Sequence, residues 1–182
     1  MSETFRPTLL LSMPQLQDPN FARTVILLCD YVPEGAFGLV LNRPTDMPAS
    51  SMVRLEPPVN RGNDIPLHVG GPVEPERGWI LISEQPAEAE YRTILEGLYL
   101  STSPILLRQV LESSPAPRAR ELAGYAGWGP GQLDAELEHS AWLMADVELD
   151  LVFDVDPGAM WETAIRRLGA DPSALQASHG VH

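Results

Sequence analysis

The chain has 182 residues, 44% hydrophobic and 20% charged, a balance that suits one globular domain over residues 1–182. Acidic residues outnumber basic ones 25 to 12, the net charge is −13, and every basic residue is an arginine. The lack of lysine and the single cysteine, Cys29, exclude a Walker-type phosphate loop, a Schiff-base or general-base lysine, an internal disulfide and a CxxC site.

In chain order, 18 prolines and 14 glycines divide the sequence into short elements. Residues 8–13 form an apolar run closed by Pro14. Residues 24–31 and 36–41 form two more, and Pro33-Glu34-Gly35 between them predicts an antiparallel hairpin. The proline-rich stretch 44–66 reads as a long loop with at most one helical turn near residues 50–54. Residues 67–70 and 79–83 read as strands on either side of a Gly70-Gly71-Pro72 corner, and residues 98–101 as a further strand.

Thr102 or Ser103 as cap, Pro104 at the first helical position and the apolar set Ile105, Leu106 and Val110 predict a helix ending near Glu112. A strand over 121–126 follows, then a helix over 130–139 with Leu133 and Leu137 four apart and acids in its early turns. Residues 146–156 alternate, with Val147, Leu149, Leu151, Phe153 and Val155 on one parity, which predicts a strand with one wet face. Asp156-Pro157 starts a last helix with Met160, Trp161, Ala164, Ile165 and Leu168 as its apolar stripe and Gly169 as its stop. Hairpin-like runs of strands broken by short helices give an α+β fold class with a mainly antiparallel sheet. Apolar runs of about five residues, such as 25–29, are far short of the roughly 20 that span a bilayer. Residues 1–6 do not open a signal sequence, so the expected location is cytoplasmic, without a membrane partner.

Three stretches carry candidate binding residues. Gly70 and Gly71 would let adjacent N–H groups converge on an anion, with Arg77 as a charged fork; the alternative is a plain tight corner and an Arg77–Glu74 pair. Asn42 and Arg43 sit where a strand leaves the sheet, facing either a pocket or, for the asparagine, the backbone of the loop that follows. Trp128 and Gln132 lie at the start of a helix, whose free N–H groups would receive an anion beside an apolar wall; equally, Trp128 is a core anchor. The acids of 146–156 are too widely spaced along a strand to share one ion and read as a solvated face. The four histidines show no metal-binding spacing, there is no GxSxG, and Cys29 reads as a buried hydrophobe.

Together the segments FARTVILLCDY (21–31), GAFGLVLNRP (35–44), Gly70-Gly71-Pro72-Val73 with Arg77-Gly78, and GYAGWGPGQLDAEL (124–137) with Trp142 resemble the YqgE/AlgH family of bacterial proteins. Residues 98–103 and 152–168 extend the match over nearly the whole chain. The resemblance implies a single α+β domain whose sheet curls into a half-barrel flanked by short helices. It implies recurrent residues at Asn42, Arg43, Pro44, Gly70, Gly71, Pro72, Arg77, Gly78, Trp128, Gln132 and Trp142. It implies neither a reaction nor a cofactor, and the family's transcriptional-regulator label derives from an alginate-regulation phenotype. Tyr31 and Ile82 depart from the pattern, standing where many members carry histidine.

These residues support first a non-enzymatic binding or regulatory module that takes a small anionic ligand, or a protein partner's acidic group, near Gly70, Gly71, Arg43, Arg77 and Trp128. Direct nucleic-acid binding is the alternative the regulator label suggests, but a net charge of −13 without a lysine works against phosphate contacts. A metal-dependent hydrolase or nuclease would need carboxylates from different elements to converge in a cleft. The sequence sets no oligomeric state.

Overall fold

One large, open sheet organises the structure, a computed structural model that describes residues 5–13, 21–51, 54–60 and 62–175. Its strands are β1 (Thr8–Ser12), β2 (Val25–Val32), β3 (Gly35–Val40), β4 (Pro44–Pro48), β5 (Pro66–Val69), β6 (Val73–Ile82), β7 (Arg92–Leu95), β8 (Leu98–Ser101), β9 (Ala119–Trp128) and β10 (Trp142–Ala145). The order is β10-β1-β2-β3-β9-β6-β8-β7, with β4 pairing β5 and β5 pairing β9. All pairs are antiparallel except β5 with β9. The predicted hairpin is β2–β3, closing at Val32 opposite Gly35. The helices are α1 (Pro104–Glu112), α2 (Gln132–Glu138), α3 (Leu149–Phe153) and α4 (Pro157–Arg167).

Side-chain alternation gives the sheet two apolar faces. On one, Leu9, Leu27, Leu39, Leu122, Trp79 and Leu81 join Leu98 and Ile94 from the far end of the sheet in a single cluster, filled by α3 and α4. On the other there are two separate clusters. Leu10, Ile26, Val40 and Trp128 pack under α2, while Ile80, Ile82 and Tyr99 pack under α1. One cluster inside and two outside is the signature of a sheet that curls. An ion pair marks the curl: Arg92 of β7 grips Asp30 of β2 with two bonds of 2.9 and 2.6 Å and donates to the Cys29 carbonyl at 2.8 Å. The sheet does not close into a barrel, so the α+β expectation holds with an open, curved sheet.

Helix boundaries follow local chemistry. The Ser103 hydroxyl accepts from the Ile105 and Leu106 amides and Pro104 opens α1, over the span its sequence predicts. Asp156 caps α4 in the same manner through the Gly158 amide. From α4 the Trp161 indole donates to the Ser12 carbonyl at 2.9 Å, fixing the helix against β1. Leu168, expected in the apolar stripe, is 45% exposed because the helix has ended at Arg167.

Residues 146–156 are not a strand. They hold the short helix α3, with Leu151, Val152 and Phe153 all buried. Val152 breaks the alternation, and three successive apolar side chains reach the core more readily from a helical turn than from a strand with one wet face. Arg120 of β9 secures the turn by donating to the Val152 and Phe153 carbonyls at 3.2 and 2.9 Å. Of the acids that read as a solvated face, Glu148 and Asp150 pair with Arg167 and Asp154 with Arg118. Within 44–66, expected as loop, Pro44–Pro48 is an irregular edge strand, and β7 is a strand the sequence pattern does not reveal.

Leu27 is fully buried at the centre of the inner cluster. Leu27→Ala is expected to lower the unfolding free energy by about 2–5 kcal/mol, read from urea titration. Ile105→Ala, at a position 57% exposed, is expected to leave it within about 0.5 kcal/mol.

Candidate functional site

β9 divides the molecule into the regions where the candidate residues fall. Its residues 121–123 pair with β5 and 126–128 with β3, while β6 takes 119–125. Gly70 stands where β5 gives way to β3: its N–H donates to the Ala123 carbonyl at 2.7 Å and its carbonyl accepts from Val40 at 2.8 Å. A Cβ on Gly70 would run into the Gly124 carbonyl, one on Gly71 into the Tyr125 carbonyl, and one on Gly124 into the Gly71 carbonyl. These glycines allow one backbone to lie on another. The Gly70 amide is committed to the sheet and is not free to receive an anion.

Asn42 and Arg43 serve the same seam. The Asn42 amide, 8% exposed, accepts from the Val25 N–H and donates to the Arg23 carbonyl, both at 3.0 Å, joining the end of β3 to the start of β2. It holds the loop before it and not the loop after it. Arg43 donates to the Ala22 carbonyl and to the Thr24 hydroxyl, and partial burial lowers its pKa.

Trp128 and Gln132 build a clasp on the outer face. The Trp128 and Trp142 indoles, 6.2 Å apart edge to face, both donate to Glu136 Oε1, at 3.0 and 2.8 Å. Gln132 accepts from the Gly129 N–H at 3.0 Å and donates to Glu136 Oε2 at 3.1 Å, so its side chain ties the loop before α2 to the helix, whose first turn has no side-chain cap. Tyr31 donates to Asp134 of the same helix, and Ile82 is buried under α1, so both departures from the family pattern have packing roles here.

Strand register separates Trp128 from Arg77. Ala36 faces Trp128 and Phe37 faces Gly127 across β3–β9, which puts Phe37 on the side opposite Trp128. Phe37 packs on Trp79 with centroids 5.0 Å apart, and the Arg77 guanidinium lies 4.8 Å over the Trp79 ring. Arg77 is thrown outward by an excursion in β6: Val73 faces Tyr125 and Gly78 faces Ala123, so β6 spends three more residues than β9 between those pairs.

Arg77 alone of the seven candidate residues lines the larger cleft, about 400 Å³, with Phe37, Trp79 and Leu100 beneath and Arg92, Asp30 and Glu90 about it. Arg92 is held by Asp30, whereas Arg77 makes, among the described residues, one loose ion-pair contact, 3.9 Å from Glu74. The sequence gives no sign of Arg92 or Trp79 in this cleft, because the curl brings β7 and β2 together. A second cavity, about 290 Å³, lies on the other face of β6 under α1 and is lined by Glu121.

Among the described residues, Glu121, His68 and Cys29 are buried titratable groups. Glu121 is 2% exposed, Oε2 lacks a hydrogen-bond partner, and burial pushes its pKa up to about 9. Such an unsatisfied buried acceptor costs about 1–3 kcal/mol. His68 is 1% exposed; burial and the Arg120 charge push it down to about 4, the Pro66 carbonyl offsetting part of this. Cys29 is buried and its thiol is raised to about 12, mainly by burial, so it stays protonated. Among the described residues no three of His, Cys, Asp or Glu are grouped as a metal site requires, and no helix is long and apolar enough to cross a membrane.

Comparison with known proteins fits the whole of this architecture. The model of the AlgH-like family matches residues 9–173. The chain belongs to the AlgH-like family. A UPF0301 protein of Myxococcus xanthus is 37% identical to this AlgH-like chain over 181 residues, covering 97% of each. A UPF0301 protein of Methylococcus capsulatus is 39% identical over 176 residues, covering 94% of each. The solution structure of the AlgH protein from Pseudomonas aeruginosa superposes with a TM-score of 0.78 at 34% identity, over 97% of both chains. A crystal structure of a Corynebacterium diphtheriae protein shares the fold at TM-score 0.70 and 23% identity, over 91% of this chain and 88% of that one.

The Glu121 carboxyl keeps its proton in the folded chain up to about pH 9, whereas the unfolded chain releases it near 4.5. Between those values the folded state binds the extra proton, so this group's contribution to stability is complete below pH 4.5 and declines as pH rises. The slope is on the order of 1 kcal/mol per pH unit. Glu121→Gln is expected to raise Tm more at pH 8 than at pH 5, checked by thermal unfolding across that range.

Proposed function

We propose that this chain is a non-enzymatic binding module whose larger cleft takes a small anionic ligand, or an acidic group of a protein partner, through Arg77. The observation that carries the reading is the Arg77 guanidinium, half exposed above Trp79 at the rim of the cleft and only loosely paired with Glu74. An aromatic floor with an available guanidinium suits an anion attached to a flat or apolar body. In a chain of net charge −13 the attraction is local, since the summed field repels anions.

Gly70, Gly71, Asn42, Arg43, Trp128 and Gln132 support this reading indirectly. They hold β9 and its neighbours in the register that presents Arg77. The regulator label is compatible with such a module acting through a bound ligand or partner, without a nucleic-acid surface.

A panel of small carboxylates and phosphates, including benzoate, citrate and inorganic phosphate, screened by thermal shift tests the reading. At least one is expected to raise Tm for the natural chain and to lose most of that shift in Arg77→Ala. An unchanged shift in Arg77→Ala, or no shift with any member, would overturn it.

A further inference from the structure

The second cavity goes beyond the Arg77 cleft and lies on the opposite face of β6. Its walls are mainly apolar, formed by Leu55, Ile80, Pro104 and Leu107, with Gly78 contributing no side chain. Into this wall projects one carboxyl, Glu121, from the interior of β9, where its partners across the strands are Leu67 and Ile80. The side chain is 2% exposed, and Oε2 has no hydrogen-bond partner. Two hydroxyl residues also line the cavity, Thr102 and Ser103, and the Ser103 hydroxyl is engaged as the cap of α1. The fold makes no use of this carboxyl that leucine or glutamine would not serve at lower cost.

We propose that the cavity between β6, β9 and α1 binds a small uncharged molecule with an apolar body and an amide edge, an N–H beside a C=O, which pairs with the Glu121 carboxyl. A carboxylic acid offers one donor and one acceptor side by side, and the edge of a cyclic amide offers the complement, so two hydrogen bonds form and the orphaned oxygen is satisfied. The carboxyl is in its protonated form at neutral pH, as this pairing requires. Leu55, Ile80, Pro104 and Leu107 take the apolar body, and the exposed Arg54 stands at the mouth. A volume of about 290 Å³ lies at the small end of ligand cavities, which limits the occupant to a compact molecule.

Titration of the ¹⁵N-labelled full chain with ε-caprolactam, N-methyl-ε-caprolactam and cyclohexylamine at pH 7 tests this. ε-Caprolactam is expected to move the amide signals of Gly78, Ile80 and Leu107 saturably, with a Kd on the order of 1 mM. The N-methyl compound, which lacks the donor, is expected to bind at least ten-fold more weakly. Glu121→Gln keeps one donor and one acceptor and is expected to bind within about three-fold, while Glu121→Leu loses at least ten-fold. Equal binding of the two lactams, undiminished binding to Glu121→Leu, tighter binding of the amine, or no saturable shift at those three residues would each overturn the proposal.

Discussion

Backbone lying directly on backbone along β9 is the constraint on which the architecture turns. One strand serves β6 on one side and, on the other, first β5 and then β3, and the change of partner happens where Gly70 and Gly71 cross Gly124. A side chain at any of these positions would occupy the space of a carbonyl. Gly70 bonds to both neighbours at the junction, so the sheet passes from one partner to the next without leaving those two groups unsatisfied. Asn42 and Arg43 extend the same bracing to the loop before β2. The curl of the sheet, the single inner cluster and the approach of Arg92 to Asp30 all follow from a sheet that bends at this seam.

The seam also decides where chemistry is possible. Because β9 alternates, Trp128 lies outward beneath α2 while Tyr125 and Phe37 lie on the face of Trp79. The most distinctive sequence motif, GWGPGQ, is therefore a clasp in which two indoles and a glutamine share Glu136, and it lies apart from the cleft. Arg77 reaches the cleft through the excursion of β6, a feature of a strand that must accommodate three extra residues. Cavities on the two faces of β6 both touch Thr102, just before α1, yet differ in character, one with charged groups at an aromatic floor and the other mainly apolar around a single carboxyl.

Local signals in the sequence translate well into local structure. The Ser103-Pro104 start gives α1, the Pro33-Glu34-Gly35 turn gives the β2–β3 hairpin, and Asp156-Pro157 starts α4. Alternation over 146–156 misleads because Val152 shares its burial with both neighbours, a pattern that belongs to the helical turn Arg120 secures. Non-local relations are where one-dimensional reading stops. That Arg43, Arg77 and Trp128 occupy separate places depends on strand order and register, which composition and spacing do not encode. Glu121 carries a sequence trace, a carboxylate inside an apolar strand, but its isolation becomes visible only when β5, β6 and α1 close around it.

The most direct measurement on the seam is the unfolding free energy of Gly71→Ala, obtained from urea titration. An added methyl group at a φ of +153° meets the Tyr125 backbone, which has no freedom to retreat without breaking the pairing of β9. The account predicts a loss of at least about 2 kcal/mol with lowered amide protection at Gly70 and Val40. A variant within about 0.5 kcal/mol of the natural chain, with protection at those amides intact, would contradict it.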